Sequence, residues 1–230
     1  TFPHPPSELE IFLCPSSTLP NRHPSGSAQR SYCFSVGDTI NDNFLSINPS
    51  TGLIMRHRGP FGYRLCTRMR DFNQGDGSSN TIAMGERGLG NPGNLNDVIG
   101  HVTSAASATD PGGCLASQIN GYYTSGSLID RPGQFWAAGA PYYNSVAIIL
   151  PPNSPSCGAP AAMSNISVSS KHPGGAHVLF SDGSVALINE SIFRGNSGVD
   201  PTITNSGGNS PYGIWGALGT IDGDEVVGQY

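Results

Sequence analysis

Charged side chains are scarce in this sequence. Asp, Glu, Lys and Arg make up 12% of the 230 residues, about half the usual quarter of a soluble domain. The net charge of −5 comes with scattered Lys and Arg and no basic stripe, which sets aside nucleic acid and anionic membrane surfaces as partners. No run of eighteen apolar residues occurs, so nothing in the sequence reads as a membrane span. No Cys-x-x-Cys pair points to a zinc ribbon or a redox centre. No Gly-x-Ser-x-Gly elbow presents a nucleophile, and no glycine-rich segment runs into a Lys and a helix as a phosphate cradle does. The proline-rich opening TFPHPPSELEIFLCPS does not read as a secretory leader, and if the protein is exported, something ahead of it is expected to have been removed.

Gly 31 and Pro 19, by contrast, make up about a fifth of the chain, against roughly 12% in average usage. Many turns and few long helices follow. A chain of this length buries a sizeable core, and the expectation is an α+β fold, mainly β, in a single globular unit over 1–230. Residues 88–157, where Gly, Asn, Ser and Tyr displace apolar periodicity, read as a loop-rich insertion.

The most ordered signal is 171–188, KHPGGAHVLFSDGSVALI. Two apolar runs flank Ser181-Asp182-Gly183-Ser184, and Asp-Gly between such runs marks a tight β-hairpin. A two-residue turn there needs positive φ, which Gly183 adopts freely and Asp182 tolerates. Ahead of it, Pro173-Gly174-Gly175 bends the chain into the first strand and lets the backbone pass close to a neighbour. A second landmark is 76–87, DGSSNTIAMGER, in which a polar turn feeds an apolar strand that ends in Gly85-Glu86-Arg87. Asp76, Gly77 and Asn80 are expected to shape that turn, because short polar side chains bond their own backbone.

These stretches resemble the signature of the prepilin-type processing-associated domain, a bacterial family named for a His, a nine-residue gap and an Asp-Gly, here His172, Asp182 and Gly183. The family's second motif, an Asp-Gly-Ser/Thr-Ser-Asn-Thr turn followed by a strand and Gly-Glu-Arg, is matched by 76–87. IFLCPS at 11–16, DPGGCLA at 110–116, RPGQFWAAG at 131–139, NSVAIILPPNSPSC at 144–157 and the terminal Leu218, Gly223, Glu225 and Val226 follow in family order. The resemblance implies a pilin- or pseudopilin-like head of short antiparallel strands and long loops, non-enzymatic and exported to the cell surface, periplasm or exterior. Its partners would be other pilin-like subunits in a filament or type II secretion-like assembly. The hydrophobic N-terminal helix of such subunits, through which alone a membrane would be reached, is absent from this sequence.

Cysteines at 14, 33, 66, 114 and 157 suit disulfides in an oxidising compartment. Cys14 with Cys33 closes a short loop and Cys114 with Cys157 flanks the insertion, which leaves Cys66 as a buried thiol or an intermolecular partner. Five arginines within 56–70 read as a solvated face, Trp136 as a core anchor, and 146–150 as a buried strand stopped by Pro151-Pro152. His172, His177 and Asp182 have the chemistry of metal ligands, but along one extended strand they do not converge without another segment. His172 is expected instead to fix the hairpin by bonding to a backbone group or a carboxylate such as Glu86. Asp222, Asp224 and Glu225 around Gly223 form the metal candidate, an oxygen-rich loop of the kind calcium accepts, set against a plain acidic turn. Calcium is the one cofactor considered. A second function class stays open, an extracellular binding module in which Tyr122, Tyr123, Tyr142, Tyr143 and Trp136 recognise a glycan or a protein, and a hydrolase without a visible motif is the third.

Overall fold

The computed structural model describes residues 9–17, 28–40, 58–62, 65–91, 93–126, 128–129, 141–159, 163–202 and 208–225. After a 3-10 turn at Glu10–Phe12, the chain forms β1 (Tyr32–Ser35), α1 (Met69–Gln74), β2 (Ile82–Glu86), β3 (Val102–Thr103), α2 (Pro111–Ala116), β4 (Gln118–Ile119) and β5 (Tyr122–Tyr123). It continues through β6 (Leu128–Ile129), α3 (Pro141–Asn144), β7 (Ser145–Val146), β8 (Cys157–Gly158), β9 (Ser164–Asn165), β10 (Gly175–Phe180), β11 (Val185–Asn189) and α4 (Gly213–Ala217). Short strands and single-turn helices are what frequent Gly and Pro allow, and the fold is α+β, mainly β. RPGQFWAAG, with Trp136, lies outside the described residues.

Five strands form one sheet in the order β11-β10-β2-β1-β7, and β6-β3-β8-β9 form a second. The sheets are mixed: antiparallel pairs of the expected kind predominate, and β1 with β7 and β3 with β8 pair in parallel. Both pairs join segments far apart in sequence, and a long connection is what parallel pairing requires.

The run 146–150 explains where the core sits. Val146 and Ile148 pack into one apolar cluster with Val178, Phe180 and Trp215, while Ala147 and Ile149 enter another with Cys114, Cys157 and Tyr212. The strand expected over 146–150 is cut short, since β7 ends at Val146 and 148–150 bend; every side chain from Val146 to Leu150 is nonetheless buried in one cluster or the other, which is why the run is continuously apolar. Trp215 donates its indole N–H to the Leu150 carbonyl at 2.7 Å, so the polar edge of the largest buried ring is satisfied.

Cys114 and Cys157 form a disulfide across 43 residues, linking α2 to β8. The expected Cys14–Cys33 bond is not formed; both thiols are free. Period-two alternation is the reason: Cys33 points into the core from β1, whereas Cys14 approaches Glu86 and His172. Cys66 is exposed, so of the two readings offered for it, a buried thiol or an intermolecular partner, the buried thiol does not hold. Arg58 departs from the solvated face: it is buried and bonds Asp38 at 2.7 Å and the Gly208 carbonyl at 2.7 Å.

Arg87 follows β2 and reaches into the second sheet. Its guanidinium donates to Ser156 Oγ at 2.8 Å, the Ser167 carbonyl at 2.8 Å and the His101 carbonyl at 3.2 Å. Burial pushes its pKa down, with Tyr123, Cys33 and Tyr142 opposing. Tyr123 shares the network, donating to the Ser156 and His101 carbonyls and accepting from the Ser156 amide.

The hairpin forms, with a turn different from the expected one. Gly183 N–H donates to Phe180 O at 3.0 Å and Phe180 N–H to Ser184 O at 2.8 Å, which closes a loop of three residues, 181–183. Only Gly183, at φ +91°, is left-handed; Asp182 is not among the positive-φ residues. This is the three-residue connection with glycine last, in which Asp182 needs no unusual backbone. Its carboxylate accepts the Ser184 amide and hydroxyl at 2.9 and 2.7 Å, and those bonds hold its pKa below the usual carboxylate range.

The glycines differ in what they cost to replace. Gly183 has open space around it, so Gly183→Ala loses only the left-handed backbone term, about 1–2 kcal/mol. A Cβ on Gly175 would collide with the Ile188 carbonyl across the ladder; that backbone cannot yield, and Gly175→Ala is expected to cost about 3 kcal/mol. Urea unfolding ranks the two, and an equal or reversed order would contradict the close approach. A second expectation concerns alkali. Burial pushes the Tyr123 phenol from 10.0 up to about 12, so as pH rises the unfolded chain releases this proton first. The contribution is complete below pH 10.0 and lost towards about 12. The pH dependence of stability in that window should flatten in Tyr123→Phe, and an unchanged slope would remove Tyr123 as its source.

Candidate functional site

The two motif-bearing stretches are neighbours. β2 pairs antiparallel with β10, Gly85 opposite Val178 and Met84 opposite Leu179, and the pair is clamped at both ends. At one end Ser181 and Asp182 donate their amides to the Thr81 and Ser78 carbonyls at 2.9 and 3.1 Å. The turn beneath is shaped by Asn80, whose amide group bonds the Asp76 carbonyl at 2.9 Å, and by Gly77 at φ +91°.

At the other end sits Glu86, only 4% exposed. One carboxylate oxygen, Oε2, accepts the His177 amide at 2.8 Å and lies 3.2 Å from His177 Nδ1. The other, Oε1, lies 3.2 Å from His172 Nε2. The two imidazoles meet edge to face with centroids 4.6 Å apart. His172 and His177 therefore converge after all, with β2 supplying the additional segment. Gly174 at φ +79° makes the turn that brings His172 over the strand, and Ser170 Oγ accepts the His172 amide at 3.1 Å. Asp182 belongs to the opposite end of the hairpin.

A third group completes this end. Cys14 follows the N-terminal 3-10 turn and is fixed by its amide to Ser31 Oγ at 2.9 Å. Its Sγ lies 3.6 Å from His172 Nε2 and 3.1 Å from Ser16 Oγ. Burial, with Cys14 and Glu86 adding to it, pushes the Tyr32 phenol up. A cavity opens over the group, lined by Ser31, Gly88, Leu89, Ser169 and Lys171 among others; Lys171 bonds Asp97 at 2.7 Å. One detail limits the chemistry. A relay needs one ring nitrogen toward the nucleophile and the other toward the acid, whereas here the same Nε2 faces both Cys14 and Glu86. The geometry is that of three ligand atoms around a common point.

The acidic loop is built differently. Asp76 Oδ2 accepts the Gly223 amide at 2.8 Å and the Thr220 hydroxyl at 3.1 Å, so it fastens this loop to the β2 turn. Asp222 and Asp224 are exposed, while Glu225 turns inward to accept the Ser210 amide. Burial pushes the Glu225 carboxyl up, opposed by that bond and reinforced by Asp76. Among the described residues, the acidic loop supplies no set of three converging ligand atoms; the set found is Cys14, Glu86 and His172. The aromatic row is split: Tyr123 and Tyr142 are buried and Tyr122 is 52% exposed.

Sequence reasoning misses Cys14 as a site residue, and it sets His177 aside for want of a converging segment. IFLCPS named Cys14 as a disulfide partner, and no spacing relates it to residues more than 150 positions away. For His177 a signal existed, since it precedes Val178 on the outward register of β10.

No curated protein and no solved structure gives a significant match. The profile of the family described as "Protein of unknown function (DUF1559)" matches residues 1–195, a span that holds both motif stretches and all of Cys14, Glu86, His172 and His177. The chain belongs to the DUF1559 family.

Proposed function

We propose that this chain is the outward-facing head of an exported pilin- or pseudopilin-like subunit, working by assembly with other such subunits and not by turnover. The observation that carries this reading is an apolar row across the outer face of the five-stranded sheet. Val185 pairs with Leu179, Leu179 with Met84 and Met84 with Phe34, and residues directly opposite share one face. Phe61 adds its ring 4.9 Å from that of Phe34. Val185 is 65% and Phe34 39% exposed, and Leu187 extends the patch along the edge strand β11. Contiguous exposed apolar surface of this kind marks an interaction face, and a neighbouring subunit is the occupant an assembly reading supplies. The motif side chains fit the same role: Asp76, Asn80 and Asp182 direct their polar atoms to backbone groups, which stiffens a head.

The test expresses the full coding sequence in cells with an active prepilin peptidase and follows N-terminal processing and sheared surface fractions. Cleavage and recovery in filaments or a sedimenting assembly are expected. The pair Val185→Lys and Leu187→Lys should abolish recovery while shifting stability by no more than about 0.5 kcal/mol per site. A precursor that stays uncleaved and monomeric, or assembly indifferent to the paired change, would overturn the reading.

A further inference from the structure

We propose that Cys14, His172 and Glu86 form a zinc site, with His177 holding the carboxylate in position. The separations are those a tetrahedral ion imposes. Zn–S of about 2.3 Å and Zn–N and Zn–O of about 2.0–2.2 Å at tetrahedral angles place S and N roughly 3.5 Å apart and N and O roughly 3.4 Å apart. Sγ of Cys14 and Nε2 of His172 are 3.6 Å apart, and Nε2 and Glu86 Oε1 are 3.2 Å apart. All three ligand atoms lie within 4.8 Å of one another.

The donor set selects the ion. A thiolate and an imidazole favour a borderline-soft metal and disfavour calcium or magnesium, which take oxygen ligands. Three protein ligands leave a fourth position, and the serine-lined cavity over Cys14 lets water reach it. The support around the ligands is in place: Oε2 of Glu86 is held by the amide and ring of His177, which directs Oε1 to the ion, as groups behind metal-binding carboxylates do. Ser31 and Ser170 fix the backbones of Cys14 and His172, and Lys171 is engaged by Asp97, which keeps its ammonium from competing.

The test titrates the reduced, chelator-treated 230-residue chain with Zn²⁺ by calorimetry and with Co²⁺ by absorption. One ion per chain is expected, with a thiolate-to-cobalt charge-transfer band. Cys14→Ser should lose that band and weaken zinc binding at least about tenfold, and His177→Gln should keep the band while weakening zinc by about 10–100-fold. Cys66→Ser controls for the exposed thiol and should change neither. Absence of the band from a chain with a normal unfolding transition would overturn the assignment, as would binding that survives Cys14→Ser and vanishes in Cys66→Ser.

Discussion

The Glu86 carboxylate is almost cut off from water, and a charge in that position costs several kcal/mol unless it is paired and hydrogen-bonded. Its bonded partners are the amide and ring of His177 on β10 and the ring of His172 in the turn ahead of β10, and Cys14 stands alongside through its contact with His172. Meeting the needs of one side chain therefore holds the hairpin on β2 and sets the bend of the turn before it. Gly174 and Gly175 serve that requirement in different ways. The first supplies a left-handed backbone, and the second admits the Ile188 carbonyl where a side chain would stand.

The residue after Glu86 does for the inter-sheet contact what Glu86 does for the hairpin. Arg87 is fully buried with carbonyl and hydroxyl acceptors and, among the described residues, no carboxylate paired with it, so its charge is spread over dipoles of segments that flank the second sheet. Gly-Glu-Arg thus ends β2 with one anion directed to the hairpin and one cation directed to the other sheet. Alternation along the strand is what sends successive side chains to opposite sides.

What could be read from the sequence was local or carried by a side chain's ordinary needs. The hairpin was legible from Asp-Gly between apolar runs, the polar turn at 76–80 from its short side chains, and the contact of His172 with a carboxylate from the cost of leaving either unpaired. The Cys114–Cys157 bond was legible because both residues bracket one segment. Features set by long-range register were not. The Cys14–Cys33 bond looked favourable on loop length alone, but strand alternation points Cys33 into the core and away from Cys14. The burial of Arg58 depends on Asp38 and on the Gly208 carbonyl 150 positions away, and nothing local separates it from its exposed neighbours Arg68 and Arg70. The meeting of His172 and His177 required knowing that β2 lies beside β10.

The apolar row and the Glu86 cluster share the outer face of one sheet, and this ties the two proposals together physically. His177 pairs across the ladder with Leu187, so it borders the apolar patch on one side and the carboxylate on the other. A subunit seated on Val185 and Leu187 would remove water from around His177 and so from the open side of Glu86. Less water makes an unpaired carboxylate costlier and a fully liganded one comparatively more favourable. An ion that bridges Cys14, His172 and Glu86 would then favour the covered state, and covering would favour the ion by the same factor, because coupling between two binding events is reciprocal. Without such coupling, the placement of a soft-metal ligand set beside the exposed edge of the sheet would have no energetic consequence for assembly.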